Sequence, residues 1–197
     1  MYFDKDSQER KSAQTALMNI LEVMVRILSP ILSFTCDEVW EKYPEAIRNN
    51  SDRPSSVQLA GWPKLEDFVP AVSEDKLNES LEDYSRLLDV RDAFTRALEE
   101  EKVKGKFGKS QEVGAKMLLP NSYKDVVEKL GAKTLEELFI ASESEIEYTD
   151  SEDIKVEIFE AHGEKCPRCW NYRQLNENGV CERCAKVLDK LNFNFEE

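Results

Sequence analysis

The sequence predicts a mainly α fold with a small α+β part: an antiparallel helical bundle, then a small mixed α/β domain, then a four-cysteine zinc-knuckle module. Three observations predict it. Apolar residues recur at helical spacing through the first hundred positions, and the texture changes to alternation after Gly108. Four of the five cysteines then fall within nineteen residues near the end. Residues 1–103, 104–162 and 163–197 are the corresponding domains.

Asp6, with Glu9 three residues on, makes a capping box. Leu17, Ile20, Leu21, Met24, Ile27 and Leu28 then mark one apolar helix face, opposite Arg10, Lys11, Gln14 and Glu22. Pro30 interrupts this helix or ends it near Ser29. Thr35 with Glu38 is a second capping box, opening a helix through Trp40 that stops near Pro44. Residues 49–70 are rich in turn formers and read as a long connection. A third helix follows Ser73, with Leu77, Leu81, Tyr84, Leu87, Leu88, Phe94 and Leu98 on one face. Three such helices bury their apolar faces on one another, hence the bundle.

Beyond Gly108, Val113, Ala115, Met117 and Leu119 alternate as in a half-buried strand. Residues 122–130 read as a short helix stopped by Gly131, and Thr134 with Glu137 caps another turn. Leu138–Ala141, Ile146–Tyr148 and Ile154–Ile158 read as strands, and Arg183–Leu191 as a short last helix.

Lys and Arg number 27 against 40 Asp and Glu, a formal charge of −13, which argues against an indiscriminate nucleic-acid binder. The charge is uneven, however. Lys102 to Lys116 holds five lysines and one glutamate, whereas Thr134 to Glu164 holds eleven acidic residues and one base, a solvated acidic face. No apolar run approaches the roughly 18 residues of a membrane span, and the N-terminus is too polar for a signal peptide. A soluble, cytoplasmic protein without a membrane partner is expected.

Cys166-Pro-Arg-Cys169 and Cys181-Glu-Arg-Cys184, eleven residues apart, have the spacing of two knuckles around one structural Zn2+. A rubredoxin-like iron site and disulfides are the competing readings; cytosolic disulfides are uncommon. Cys36, alone among apolar neighbours, reads as a buried core residue. The single His162 is placed as structural, since four thiolates already complete the shell.

GKFGKS (105–110) is not a phosphate loop, because that motif needs four residues between its glycines and here there are two. Its lysines Lys106 and Lys109, with Lys104 just before it, remain candidates for RNA phosphates. No catalytic residue is assigned: Gly-x-Ser-x-Gly and HExxH are both absent. In the knuckle, Lys165, Arg168, Trp170, Tyr172 and Arg173 interleave bases and aromatics, with Arg183 and Lys186 flanking the second pair. Rings that stack on unpaired bases beside cations that hold phosphates suit single-stranded RNA. Alternatively, Trp170 shields the metal and the chain is a zinc-bearing protein-interaction module whose acidic face meets a basic partner.

SPILSFTCDEVW (29–40) resembles the anticodon-binding helical domain of the synthetases for isoleucine, valine and leucine. SVQLAGWP (56–63), LLDVRDAFTRALEEEK (87–102) and LEELFIASESEI (135–146) look like the segments that follow in the isoleucine enzymes. GEKCPRCWNY (163–172), with the second Cys pair, is similar to the C-terminal zinc module of bacterial isoleucyl-tRNA synthetases, whereas valine enzymes typically end in a helical hairpin. The resemblance covers essentially the whole chain. Cys36 departs from it where alanine is common, and Gln111 where an apolar residue is common. HIGH-type and KMSKS-type sequences, a Rossmann-like core and an editing domain are not found, so the resemblance implies a C-terminal fragment that does not activate isoleucine by itself. In the parent it implies ATP-dependent joining of isoleucine to tRNA(Ile), with ATP bound only by the catalytic body. The expected partners are the tRNA(Ile) anticodon stem-loop and that catalytic body, in a monomeric enzyme. The bundle would dock the anticodon stem, and Arg168, Trp170, Tyr172 and Arg173 would lie near the splayed anticodon bases.

Overall fold

A computed structural model of the protein describes residues 3–49, 52–68, 73–131 and 133–191. By its internal contacts the chain divides into two units, Phe3–Ser73 and Glu74–Glu197. Among the described residues no helix is long and apolar enough to cross a membrane.

In the first unit, helix α1 spans Gln8–Leu28 and is capped by Ser7, whose hydroxyl accepts the Arg10 N–H at 3.2 Å. The expected cap Asp6 is displaced because its own N–H is held by the Asp4 carboxylate at 2.9 Å, in a turn that precedes the helix. The helix ends at Leu28 with Ser29 as its C-cap: Pro30 has no N–H to continue the ladder, and the Ser29 hydroxyl donates to the Arg26 carbonyl at 3.0 Å. Helix α2 (Ser33–Glu41) starts before Thr35 and has no side-chain cap, because the chain passes directly from one helix into the next. The Leu32 N–H closes on the Leu28 carbonyl, and the Leu32 carbonyl already accepts the Cys36 N–H.

The expected connection is preceded by a single-turn helix, α3 (Glu45–Arg48), and contains two isolated 3-10 turns, Val57–Leu59 and Leu65–Asp67. Residues 50, 51, 69 and 70 of that connection lie outside the described residues. Side chains fasten it instead of ladders. Asp37 accepts the Ser56 hydroxyl at 2.7 Å and the Val57 N–H at 3.2 Å, and the Trp40 indole N–H donates to the Pro54 carbonyl at 2.9 Å. Val25, Cys36, Trp40, Tyr43 and Val57 form the core, so Cys36 is buried as expected. Most of the predicted apolar face of α1 remains open: Leu17, Ile20 and Met24 are exposed.

The second unit is built on the three-stranded sheet β2-β1-β3, where β1 is Val113–Pro120, β2 is Glu143–Thr149 and β3 is Lys155–Glu160. The central strand β1 runs parallel to β2 and antiparallel to β3, with Met117 opposite Ile146 on one side and Val156 on the other. Two short helices, α5 (Lys124–Leu130) and α6 (Lys133–Phe139), make the crossover that a parallel pair demands. Gly131 stops α5 at φ +86°. Thr134 sits inside α6 rather than capping it, its hydroxyl donating back to the Leu130 carbonyl. Leu138–Ala141, expected as a strand, is the end of α6 and the turn after it, because Leu135 and Phe139 use the run at helical spacing.

Helix α4 (Glu74–Val103), which the sequence assigns to the bundle, belongs to this unit. Its residues Leu87, Val90, Phe94 and Leu98 share one apolar cluster with Val113, Ala115, Met117 and Leu119 of β1, and Phe94 stacks on Phe139 at 4.8 Å. Leu81, Tyr84 and Leu88, expected on the same buried face, are exposed. Periodicity says that a helix face is apolar without saying which element covers it. The cysteine module follows from Gly163 with the short pair β4 (Glu164–Lys165) and β5 (Tyr172–Arg173) and the helix α7 (Glu182–Lys190).

Candidate metal centre and nucleic-acid interface

Each Cys pair sits in a tight turn. After Cys169, Trp170 occupies left-handed backbone at φ +66°, which lets its N–H reach the Cys166 carbonyl at 2.8 Å while the Cys166 N–H donates to Asn171. A bulky residue pays roughly 1 kcal/mol or more for that conformation, where glycine is the ordinary choice. The second turn is held by Asn176, whose carboxamide oxygen accepts the N–H groups of Asn178 and Val180, and α7 begins directly after Cys181.

These turns bring Cys166, Cys169, Cys181 and Cys184 together, all buried, with their sulfurs within 4.8 Å of one another. The Cys169 and Cys181 sulfurs are 3.7 Å apart, too far for a disulfide and close to the roughly 3.8 Å edge of a tetrahedron with ~2.3 Å metal–sulfur bonds. Burial works against charge at Cys166, yet the N–H groups of Cys181, Cys169 and Arg168 bring its thiol down to about 6. Burial pushes Cys184 up to about 12, opposed by the Arg168 guanidinium, with the sulfurs of Cys181 and Cys169 adding to the rise. Four buried sulfurs this close carry their charges together only around a cation. The four cysteines can hold one metal ion.

The basic and aromatic residues singled out by sequence fall into separate groups. Lys165 places its ammonium 5.6 Å from the centre of the Trp170 ring, which is half exposed. Arg168 donates to the Cys184 sulfur at 3.4 Å, and the half-buried Arg183 donates to Cys169, so both support the cysteine cluster. Tyr172 and Arg173 lie on β5. Arg173 forms an ion pair with Glu136 at 3.2 Å, and Lys186 one with Glu182 at 2.6 Å.

The lysine segment is less open than its composition suggests. Lys104 and Lys106 both pair with Glu101 at 2.6 Å, Lys102 with Glu99 and Lys116 with Glu147. Among the described residues Lys109 has no ion pair. The N–H groups of Gly108 and Lys109, which a phosphate loop would aim at its ligand, donate to the Glu112 carboxylate at 2.8 and 3.1 Å and hold its carboxyl below the ordinary range. An internal carboxylate thus fills the place of a phosphate.

Several residues without a sequence signal organise the module. Ser142, 1% exposed, donates its hydroxyl to the Gln111 carbonyl at 2.6 Å and accepts the Tyr172 N–H at 2.7 Å. Glu143 takes both the His162 N–H at 2.7 Å and its ring Nδ1 at 2.8 Å, so His162 turns to a carboxylate rather than to the sulfurs. The ion pair raises the His162 pKa above its ordinary value. Gly163, at φ +90°, lets the Arg173 backbone approach where a Cβ would stand 2.5 Å from its carbonyl carbon. Between these parts opens a cleft of about 980 Å3, lined by residues that include Ser142, Tyr172, Arg173, Gln174, Arg183 and Lys186, but not by Lys165 or Trp170.

The sequence has relatives among known proteins. The chain is 35% identical to the isoleucine–tRNA ligase of Sulfurihydrogenibium sp. over 97% of its own length, and 34% identical to that of Natranaerobius thermophilus over 95%. It is 35% identical to the isoleucine–tRNA ligase of Thermotoga petrophila over 93%. In each case it spans only about a fifth of the relative, 21%, 21% and 20% respectively. Residues 1–118 match the family described as the anticodon-binding domain of tRNA ligase. With more than half its length inside that match, the chain belongs to the family of anticodon-binding domains of tRNA ligases.

Proposed function

We propose that this chain grips the anticodon arm of tRNA(Ile) on behalf of an isoleucine–tRNA ligase. The observation that carries the reading is the anticodon-binding match over residues 1–118, continued by the alignment with isoleucine–tRNA ligases through the cysteine module. In this reading the helical part, residues 1–103, meets the anticodon stem, residues 104–162 join it to the module, and residues 163–197 face the loop. Trp170, half exposed with the Lys165 ammonium over its ring, offers a stacking surface beside a phosphate partner. The left-handed backbone that presents it is a local cost consistent with such a use.

The metal proposed for the four sulfurs is zinc, which suits a tetrahedral thiolate site and when so ligated has no open position for reaction chemistry. Its ligands Cys166, Cys169, Cys181 and Cys184 fold a segment too short for a core of its own. The whole ligase, a cytoplasmic monomer in this proposal, would join isoleucine to tRNA(Ile) with ATP in its catalytic body, the second partner of these residues. Among the RNA-binding candidates, Lys165, Trp170, Tyr172 and Lys109 stand foremost. Lys104 and Lys106 contribute less because Glu101 already neutralises them.

That neutralisation favours one competing reading, a zinc-bearing interaction module whose acidic face binds a basic protein. The deciding experiment is fluorescence anisotropy of metal-loaded protein with an isoleucine anticodon stem-loop and a scrambled-loop control, titrated with salt. Preferential, salt-weakened binding of the cognate loop is expected. Absence of binding to either loop at low salt would favour the interaction module.

A further inference from the structure

Resting on the zinc reading above, we infer that Arg168 and Arg183 form a reciprocal clamp that sets how tightly the site holds its metal. Both Cys-x-x-C pairs carry arginine at the same place, directly before the second cysteine. Arg168 of the first pair donates to the Cys184 sulfur of the second at 3.4 Å. Arg183 of the second pair donates to the Cys169 sulfur of the first. The donations cross, so each one links the two turns that converge on the ion.

Charge explains why cations stand there. Four thiolates around one divalent ion leave the site with two negative charges in excess. All four cysteines are buried, where water compensates such an excess poorly. Two guanidinium groups, one on a sulfur of each pair, supply the two balancing positive charges. Arginine suits the task because it stays protonated and is more weakly hydrated than an ammonium. Cys166 is met differently, by the backbone N–H of Cys181 at 3.5 Å, so arginine is not the general partner of a sulfur here.

The ligand spacing alone does not call for these side chains. A Cys-x-x-C turn leaves its two inner positions open, and the first of them differs between the pairs, Pro167 in one and Glu182 in the other, while arginine recurs at the second. The two arginines act on the metal through the sulfurs, which makes them positioning residues. Partners of this kind carry about 10- to 100-fold in metal affinity.

The test uses the full chain and zinc alone, with affinity read by competition against a chromogenic chelator. Arg168→Ala and Arg183→Ala should each weaken zinc binding by about 10- to 100-fold. Arg183→Lys, which keeps the charge but loses the planar fork of donors, should recover part of the loss. Lys133→Ala removes a cation that lines the same cleft as Arg183 and should leave the affinity at the wild-type value. Cobalt(II) in place of zinc adds a readout that folding alone does not move. Losing a donor raises the energy of the sulfur lone pairs, so at saturating cobalt the sulfur-to-metal charge-transfer band of both alanine variants should move to longer wavelength. An unshifted band in both would overturn the clamp, whatever their affinity, while the metal site stands. A loss in Lys133→Ala as large as in Arg183→Ala would overturn it too, since general charge would then suffice. If the wild-type chain takes up no zinc, the metal reading fails and the clamp with it.

Discussion

The hydroxyl of Ser142 accepts the Tyr172 N–H at 2.7 Å while donating to the Gln111 carbonyl at 2.6 Å, so one buried side chain ties β5 of the cysteine module to the sheet. Ser142→Ala leaves a partly buried N–H and a partly buried carbonyl without their partner at once. We expect a loss of about 1–3 kcal/mol in denaturant unfolding, and faster hydrogen exchange at the Tyr172 amide. An exchange rate at Tyr172 equal to wild type would show that the tie carries no weight.

Metal removal should act locally. The cysteine cluster holds Cys166, Cys169, Cys181, Cys184 and Val180 with little other apolar material, whereas the cluster beneath α4 and β1 is larger and separate. Structural zinc in small modules supplies on the order of 10–16 kcal/mol of folding free energy. Chelation or Cys181→Ser should therefore open the chain to protease beyond about residue 163 while the helical signal of α4 persists. Unchanged protease resistance of the tail would contradict this.

The His162–Glu143 pair gives a pH signature. The carboxylate raises the histidine pKa above 6.5 in the folded state, through its hydrogen bond to the ring first and its charge second, with Glu145 adding to the field. A raised folded-state value means the stabilisation is fully present below pH 6.5 and is lost as pH rises through the folded pKa. His162→Gln should thus be less stable than wild type near pH 5.5 and match it at pH 8.5. Thermal melts at the two pH values decide it; a deficit that grows with pH would be the wrong sign.

Gly163 should resist substitution more than its exposure suggests. A Cβ there meets backbone, not a flexible side chain, and φ is +90°. Gly163→Ala is expected to cost at least about 2 kcal/mol, read by melting of the metal-loaded chain. Gly179→Ala, with a similar φ of +68° but nothing within 4 Å, should cost less.

What could be read from sequence follows the range of the interaction. The two Cys-x-x-C pairs are local patterns, and the structure closes them into one cluster. The long helices were legible from apolar spacing, but the covering of Leu87, Val90, Phe94 and Leu98 by the sheet depends on contacts across the chain. The run Leu138–Ala141 is short and apolar, where strand and helix end look alike. Caps failed where a neighbour competed, as Asp4 does at Asp6. The pairing of Lys104 with Glu101 was present as an i,i+3 spacing. Ser142 had no signal, since a serine thirty residues from its partner looks like any other.

The most direct measurement of the central claim is chemical footprinting of a full tRNA(Ile) transcript bound to the metal-loaded chain. Protection confined to the anticodon loop and stem, lost on chelation in the loop but retained in part of the stem, is the predicted result. Binding that leaves the anticodon loop as reactive as in free tRNA would contradict the account.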